Sequence, residues 1–384
     1  MRNYGKITVL SVGLLLIGSL FFDLNISQAQ QTPSNSSIQK SVSASPSPPP
    51  PAVSPTPPIE EEDEVIKIDT EVVNVLFSAQ DKNRRLLTEL KQTDVRLIED
   101  GQPQQIVAFA RQVDLPLSLA ILIDTSVSQE RTLPEERAAA KSFLQSVIRP
   151  EKDEVSIVSF TGETTLEQGM TNNVPRLNRA VDRVQFVAPS GYIGGGVIAG
   201  GTPPISGDNQ AAVGSTAIWD AIWVTSEEVL KTSPDKTRRA IILLSDGVNT
   251  YGSKKLDDAV QAALRNEAVI YSIGIGDNFY DGVDKGVLKK ISERTGGRAF
   301  FPQDESELRQ AFTQIQIEMR SQFLIAYEPT NQKRDGSYRK IEIQLTNPEL
   351  AKRKVNLTHR QGYFAKTESN QPTKMKKVGS GTRQ

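Results

Sequence analysis

Between residues 113 and 320, uniformly apolar runs alternate with segments whose apolar residues recur every three or four positions. The runs are 117–123, 155–160, 240–244 and 269–275. A run without polar alternation is buried on both faces, which is how parallel strands covered by helices read. The amphipathic segments between them predict helices over 134–148, 174–184, 216–230, 256–265, 286–294 and 305–319. Pro134 suits a first helical turn, and Glu135 and Glu136 suit the dipole at that end. Together these elements predict an α/β fold with a doubly wound, mostly parallel sheet.

On either side the period changes to two. Val65, Ile66, Ile68, Val72, Val73, Val75 and Phe77 alternate up to a turn at Asp81-Lys82-Asn83. A strand over 95–99 runs into Asp100-Gly101, a strong hairpin signal, and is followed by 105–109. Beyond the α/β region come strands over 322–327, 338–345 and 354–360, with Asp335-Gly336 predicting a hairpin between the first two. Each flank is too short to bury a core of its own. The expectation is therefore a β segment at 64–112 and another at 321–365 that form one small β-sandwich, with the α/β domain at 113–320 inserted into it.

The remaining segments have little to bury. Residues 1–29 have the build of a signal peptide: a basic start with Arg2 and Lys6, an apolar stretch over 7–22, and polar residues ending at Ala29. The apolar stretch is short for a membrane span, which needs about 20 residues. The expectation is cleavage and export to the periplasm, envelope or medium, with membrane association only if the segment stays attached. Residues 30–63 form a Pro/Ser-rich and then acidic linker, and 366–384 read as a disordered basic tail.

Composition narrows the chemistry. The chain has 384 residues and a net charge of −1, which gives no electrostatic footing for nucleic acid. It has no cysteine and a single histidine, His359, so a Cys/His zinc site is excluded. A Ser-His-Asp triad would have to recruit His359 from a predicted strand. No catalytic residue is assigned and no small-molecule substrate is expected.

What remains is a set of hard oxygen donors at strand ends. The run through Ile123 delivers Asp124-Thr125-Ser126-Val127-Ser128, and the run through Leu244 delivers Ser245-Asp246-Gly247. Thr216 opens a helical segment after Gly214-Ser215. In a doubly wound sheet, ligands gather beyond the carboxyl ends of the strands. Asp124, Ser126, Ser128, Thr216 and Asp246 would there make an oxygen-only site for Mg²⁺, with Mn²⁺ or Ca²⁺ as alternatives. Gly214 and Gly247 allow close backbone approach.

On these motifs the chain resembles the von Willebrand factor A (VWA) domain, whose metal-ion-dependent adhesion site (MIDAS) uses Asp-x-Ser-x-Ser, a Thr and a further Asp. The resemblance implies that Asp124, Ser126 and Ser128 contact the metal closely, while Thr216 and Asp246 exchange between direct and water-mediated contact. The flanks, Val-Arg-Leu-Ile-Glu-Asp-Gly before the domain and Phe-Leu-Ile-Ala-Tyr-Glu-Pro-Thr-Asn after it, are similar to an exported bacterial subfamily first described in acidobacteria. That subfamily sharpens the architecture more than the function; for the metal site, the expected reading is a binding module whose cation is completed by an acidic side chain of a protein partner. A Mg²⁺-dependent hydrolase and a scaffold with a purely structural ion are the competing readings; the ligand motifs contain no evident acid, base or nucleophile. A Gly-rich insertion over 187–213 leads into the Thr216 loop and reads as either a lid or disorder. Asp220 reads as a support for the site or a solvated helix residue, Asp277 as a turn residue, and Trp219 and Trp223 as core.

Overall fold

The structure is a computed structural model that describes residues 72–112, 115–186, 188, 214–234, 237–276 and 282–367. The first flank gives β1 (Val73–Gln80), β2 (Val95–Glu99), β3 (Gln102–Gln104) and β4 (Ile106–Gln112). The central region runs through β5 (Leu117–Asp124), α1 (Leu133–Val147), β6 (Glu154–Phe160), β7 (Thr164–Thr171), α2 (Val174–Arg183) and α3 (Ile218–Val224). It continues with β8 (Arg238–Ser245), α4 (Leu256–Arg265), β9 (Ala268–Gly274), α5 (Lys285–Thr295), β10 (Ala299–Phe300) and α6 (Glu305–Arg320). The last flank gives β11 (Gln322–Tyr327), β12 (Tyr338–Leu345), α7 (Pro348–Lys352), β13 (Asn356–His359) and β14 (Gly362–Phe364).

The central strands form one sheet in the order β10-β9-β8-β5-β6-β7. All pairings are parallel except β6 with β7. Side chains on a strand point alternately to opposite faces, and here both faces are apolar. Leu119, Ile121 and Ile123 of β5 join one core with Phe143 of α1, Val181 of α2 and Phe312 of α6. Ala120 and Leu122, between them, join a second core with Ile222 of α3, Val260 of α4 and Ile291 of α5. This three-layer α/β architecture is the one expected. The predicted helix over 216–230 is broken: α3 passes into a π turn at Thr225–Val229 and a 3-10 turn at Leu230–Thr232. The Ser226 hydroxyl bonds back to the Ile222 carbonyl at 2.8 Å, which loosens the regular ladder there. Strand β7, polar and at the sheet edge, carried no apolar run to reveal it.

The two flanks interleave in a pair of four-stranded sheets, β13-β1-β11-β4 and β14-β12-β2-β3. β1 pairs with β11 and β2 with β12, so each sheet needs strands from both flanks. Their shared core holds Val75, Phe77, Leu97, Ile325, Tyr327 and Ile341. This is the β-sandwich expected, but two local expectations are corrected. Asp100-Gly101 does turn a two-residue hairpin, with φ of 47° and 82°, but its second strand is β3, and 105–109 crosses to the other sheet. Asp335-Gly336 makes no hairpin, because β11 and β12 lie in different sheets. The Asp335 carboxylate accepts from the Ser337 N–H at 2.9 Å, a local turn that does not dictate which sheet the chain enters next. His359 is structural: its Nε2 accepts from the Ile343 N–H at 3.3 Å, and burial depresses its pKa.

A buried acid ties the sandwich together. Glu99 of β2 accepts from the Tyr327 hydroxyl at 2.5 Å and the Tyr363 hydroxyl at 3.0 Å. Its other oxygen lies 3.5 Å from the Arg339 guanidinium. Glu99 and Tyr327 belong to the two flanking motifs read in the sequence, and they meet across the core. The sandwich docks at the amino-terminal end of the parallel strands. There Arg238 donates to the Met319 carbonyl, and a cavity of about 350 Å³ is lined by Leu76 and Leu324 on one side and Ala240 and Val269 on the other. Replacing Arg339 by Met would leave Glu99 buried without its cation, and such breaks cost about 3–5 kcal/mol. Urea unfolding should report a loss of that size; a change under about 1 kcal/mol would mean the tyrosines alone carry Glu99.

Candidate metal centre

β5 and β8 are neighbours in the middle of the sheet, with Ile123 opposite Leu244. From β5 the chain turns to β6 on one side, while β8 and β9 lie on the other, so the connections diverge between β5 and β8. Asp124 is the last residue of β5, and Ser245 the last of β8. Both ends therefore open at the switch point, at the edge opposite the sandwich.

The loop after Asp124 is held tightly. The Thr125 N–H donates to the Phe160 carbonyl at 2.9 Å, and the chain then makes a 3-10 turn over Val127–Gln129. This folds Ser126 back on Asp124: the Ser126 N–H donates to one Asp124 carboxylate oxygen at 3.0 Å, and the Ser245 hydroxyl donates to the other at 2.7 Å. The Ser126 and Ser128 hydroxyls are 3.1 Å apart. Ser128 and Gln129 also hydrogen-bond toward Asp246, which accepts from the Val248 N–H at 2.9 Å. Four of the five predicted residues thus meet in one cluster. Gly247 turns the chain at φ 85°, and a Cβ there would come within 2.9 Å of Leu288. Its conformation and packing against α5, not approach to an ion, are what require glycine.

Thr216 is placed at the same edge by its backbone. Its carbonyl accepts from the N–H groups of Thr250 and Tyr251 at 2.9 and 3.0 Å, and the Ala217 N–H donates to the Thr161 carbonyl just beyond β6. The Thr216 N–H itself donates to the Thr250 hydroxyl at 2.9 Å. Asp220 does not lie free in solvent. Its carboxylate accepts from the N–H groups of Ser253 and Lys254, each at 3.1 Å, and so fastens the loop that carries Tyr251. Trp219 is buried as expected, whereas the Trp223 ring takes the Lys254 ammonium at 4.3 Å. Asp277 and the Gly-rich insertion lie outside the described residues, except for residue 188.

The electrostatics are unusual. Asp124 is fully buried, and burial followed by the charge of Asp246 pushes its pKa up to about 7. Asp246 is also raised, chiefly by burial. A third acid lies behind the pair. Glu136, expected to serve the helix dipole, is fully buried in α1, and burial raises it to about 8, with further contributions from Asp124 and Asp246. The sequence held a signal: Leu133, Glu136, Ala140 and Phe143 fall at helical spacing on one face, where the others are apolar. The described residues contain no group of three or more His, Cys, Asp or Glu placed to hold a metal, so any cation here depends on the hydroxyls. Two buried carboxylates beside serine hydroxyls, with no ion pair of their own, fit a hard divalent ion.

Residues 205–314 match the family profile of the von Willebrand factor type A domain. The chain carries a VWA domain. The matched stretch contains Thr216 and Asp246, while β5 with Asp124 precedes it. No curated protein matches the sequence. Among solved structures it is similar to proximal thread matrix protein 1 from the mussel byssus, solved with a zinc-occupied MIDAS motif, at 18% identity and a TM-score of 0.42. That alignment covers 57% of this chain and 49% of the other, so the chain spans about half the length of the mussel protein. It is also similar to a von Willebrand factor type A protein from Catenulispora acidiphila, at 14% identity and a TM-score of 0.41, covering 79% and 76% of the two chains. A third likeness is BatB from Bacteroides thetaiotaomicron, at 17% identity and a TM-score of 0.39, covering 53% and 100%.

Raised carboxyl pKa values set the sign of a pH effect in the VWA domain. Between the usual carboxylate range near 4 and the folded values of about 7 and 8, the folded state binds more protons than the unfolded one. Metal-free protein should therefore lose stability as pH rises through that window. Thermal melts in chelator from pH 5 to 8 should show a falling midpoint, with a shallower fall in Asp124→Asn. A midpoint as steep in the variant as in the wild type would refute this assignment of the charge.

Proposed function

We propose that this protein is an exported, metal-dependent protein-binding module. Asp124, Ser126, Ser128, Thr216 and Asp246 would hold a divalent cation, and an acidic side chain of a protein partner would complete it. The observation that carries this reading is the buried Asp124–Asp246 pair, which repel each other at a strand-end edge and have no cationic side chain as partner among the described residues. A dication there turns the largest electrostatic cost of the site into an attraction. Mg²⁺ suits the donor set better than zinc, because the cluster is all oxygen and the sole histidine sits in β13.

The surroundings support binding rather than turnover. When bound, the cation supplies a Lewis-acidic position that a carboxylate can fill. Tyr251 is 41% exposed on a loop fixed to Thr216 and Asp220, and it offers aromatic surface beside that position. Glu136, the remaining acid near the cluster, is fully buried and reaches the site through Thr132 and Gln129, so it is not placed to touch a substrate. Export rests on the basic and apolar N-terminal sequence, and among the described residues no helix is long and apolar enough to cross a membrane.

Immobilised protein should retain a partner from the exported fraction with Mg²⁺ and release it with chelator. Asp124→Ala should lose that partner while its chelator-state melting midpoint stays at or above wild type, since a buried like charge is gone. Capture of the same partner by Asp124→Ala, or in chelator, would sink the proposal.

A further inference from the structure

The first turn of α1 carries two acids in unlike surroundings. Glu135 is exposed, as a side chain serving only the helix dipole would be, whereas Glu136 is fully buried. Burying a carboxylate without a cation is costly, and it persists where something else makes use of it. One Glu136 oxygen, Oε1, accepts from the Thr132 hydroxyl at 2.9 Å; the other, Oε2, is buried with no hydrogen-bond partner.

The contacts of Thr132 lead to the metal cluster. Its hydroxyl is also 2.9 Å from Oε1 of Gln129, a fully buried side chain. The Gln129 amide nitrogen then lies 3.2 Å from the Ile275 carbonyl and 3.4 Å from the Ser128 hydroxyl, and Gln129 hydrogen-bonds toward Asp246 as well. Gln129 is thus gripped by β9's end on one side and by Thr132 on the other, with two of the five cation-site residues against its amide. A threonine has one hydroxyl proton, so its two acceptors, Glu136 and Gln129, compete for it. The state of Glu136 therefore bears directly on how Gln129 is held. Glu136 also acts on Asp124 and Asp246 through space, the same two carboxylates that would face the ion.

We propose that Glu136 is a positioning residue of the cation site: through Thr132 and Gln129 it fixes Ser128 and Asp246, and by ionising when a divalent ion binds it strengthens the hold on that ion. This inference rests on the cation-binding reading of the cluster. It goes beyond the five oxygen donors by assigning a sixth residue, from the helix behind them, a share in affinity. Partners of metal ligands commonly change affinity 10–100-fold when altered, and a buried charge near the ion belongs at the lower end of that range.

The test is titration of the full chain with Mg²⁺ alone, and separately with Mn²⁺, by calorimetry, together with melting midpoints in chelator. Glu136→Gln keeps the shape and an acceptor for Thr132 but cannot ionise. It should weaken both ions about tenfold while the chelator-state midpoint holds or rises. Thr132→Val keeps the acid and breaks the connection; it should weaken them about threefold. A merely structural Glu136 would lower the midpoint in Glu136→Gln and leave affinity at the wild-type value, and that result overturns the proposal. Should Glu136→Gln fail to fold, wild-type affinity in Thr132→Val overturns it instead. If the wild-type protein binds neither ion, the cation reading falls and takes this inference with it. If wild type binds and Asp124→Ala does not, an unchanged Glu136→Gln defeats this inference alone.

Discussion

Two carboxylates held out of water at the ends of adjacent strands set the terms for the rest of this molecule. Asp124 and Asp246 are both raised in pKa, each mainly by burial, and Asp246 adds its charge to the cost at Asp124. Neither could be kept there by a flexible loop. They are fixed because β5 and β8 are buried on both faces and because the residues after each strand are bound back onto the sheet. Thr125 is tied to Phe160, Ser126 to Asp124, and Asp246 to Asp284 through its carbonyl at 2.7 Å. The apolar layers supply the rigidity that lets a repulsive pair persist.

What could be read from sequence divides along the same physical line. The long parallel strands were legible because burial on both faces abolishes polar alternation, and β5, β6, β8 and β9 each lie within two residues of their predicted ends. Asp124, Ser126, Ser128 and Asp246 were legible because strand ends and short loops place them almost without tertiary help. The order of the sandwich strands was not. Alternation says that a strand has one buried face, but not which of two sheets it joins, and Asp335-Gly336 looks the same in a hairpin as in a crossing connection. Glu136 was hidden for another reason: an acid in a first helical turn has a sound solvated explanation, and only the apolar residues sharing its face argue against it. Asp220 likewise shows its role only when α3 is brought beside the loop at 251–254, more than thirty positions later.

The sandwich places the metal edge. Its strands dock where the parallel strands begin, while the carboxylates lie where those strands end. At the seam, Gln80 of β1 is held between Glu318 of α6 and Arg298, whose guanidinium lies 2.7 Å from it and 3.6 Å from Glu318. Arg360 reaches from beyond β13 to the Asn74 carbonyl at 2.7 Å and lies 3.9 Å from Glu267. Buried polar connections of this kind demand one docking geometry, since any other leaves charged groups dry and unpaired. The two flanks can form neither sheet without each other.

That topology also bears on the recognition role proposed for this edge. The third acid, Glu136, is walled off inside α1 and reaches the cluster through Thr132 and Gln129. An adhesive site needs a strong, directional point of attachment on a surface that does not deform under the partner. In the proposed role the buried acids and serine hydroxyls would hold the cation, and the Asp220-fastened loop would add a rim with Tyr251 on it. With the sandwich at the far end of the sheet, nothing in the described fold competes for that surface.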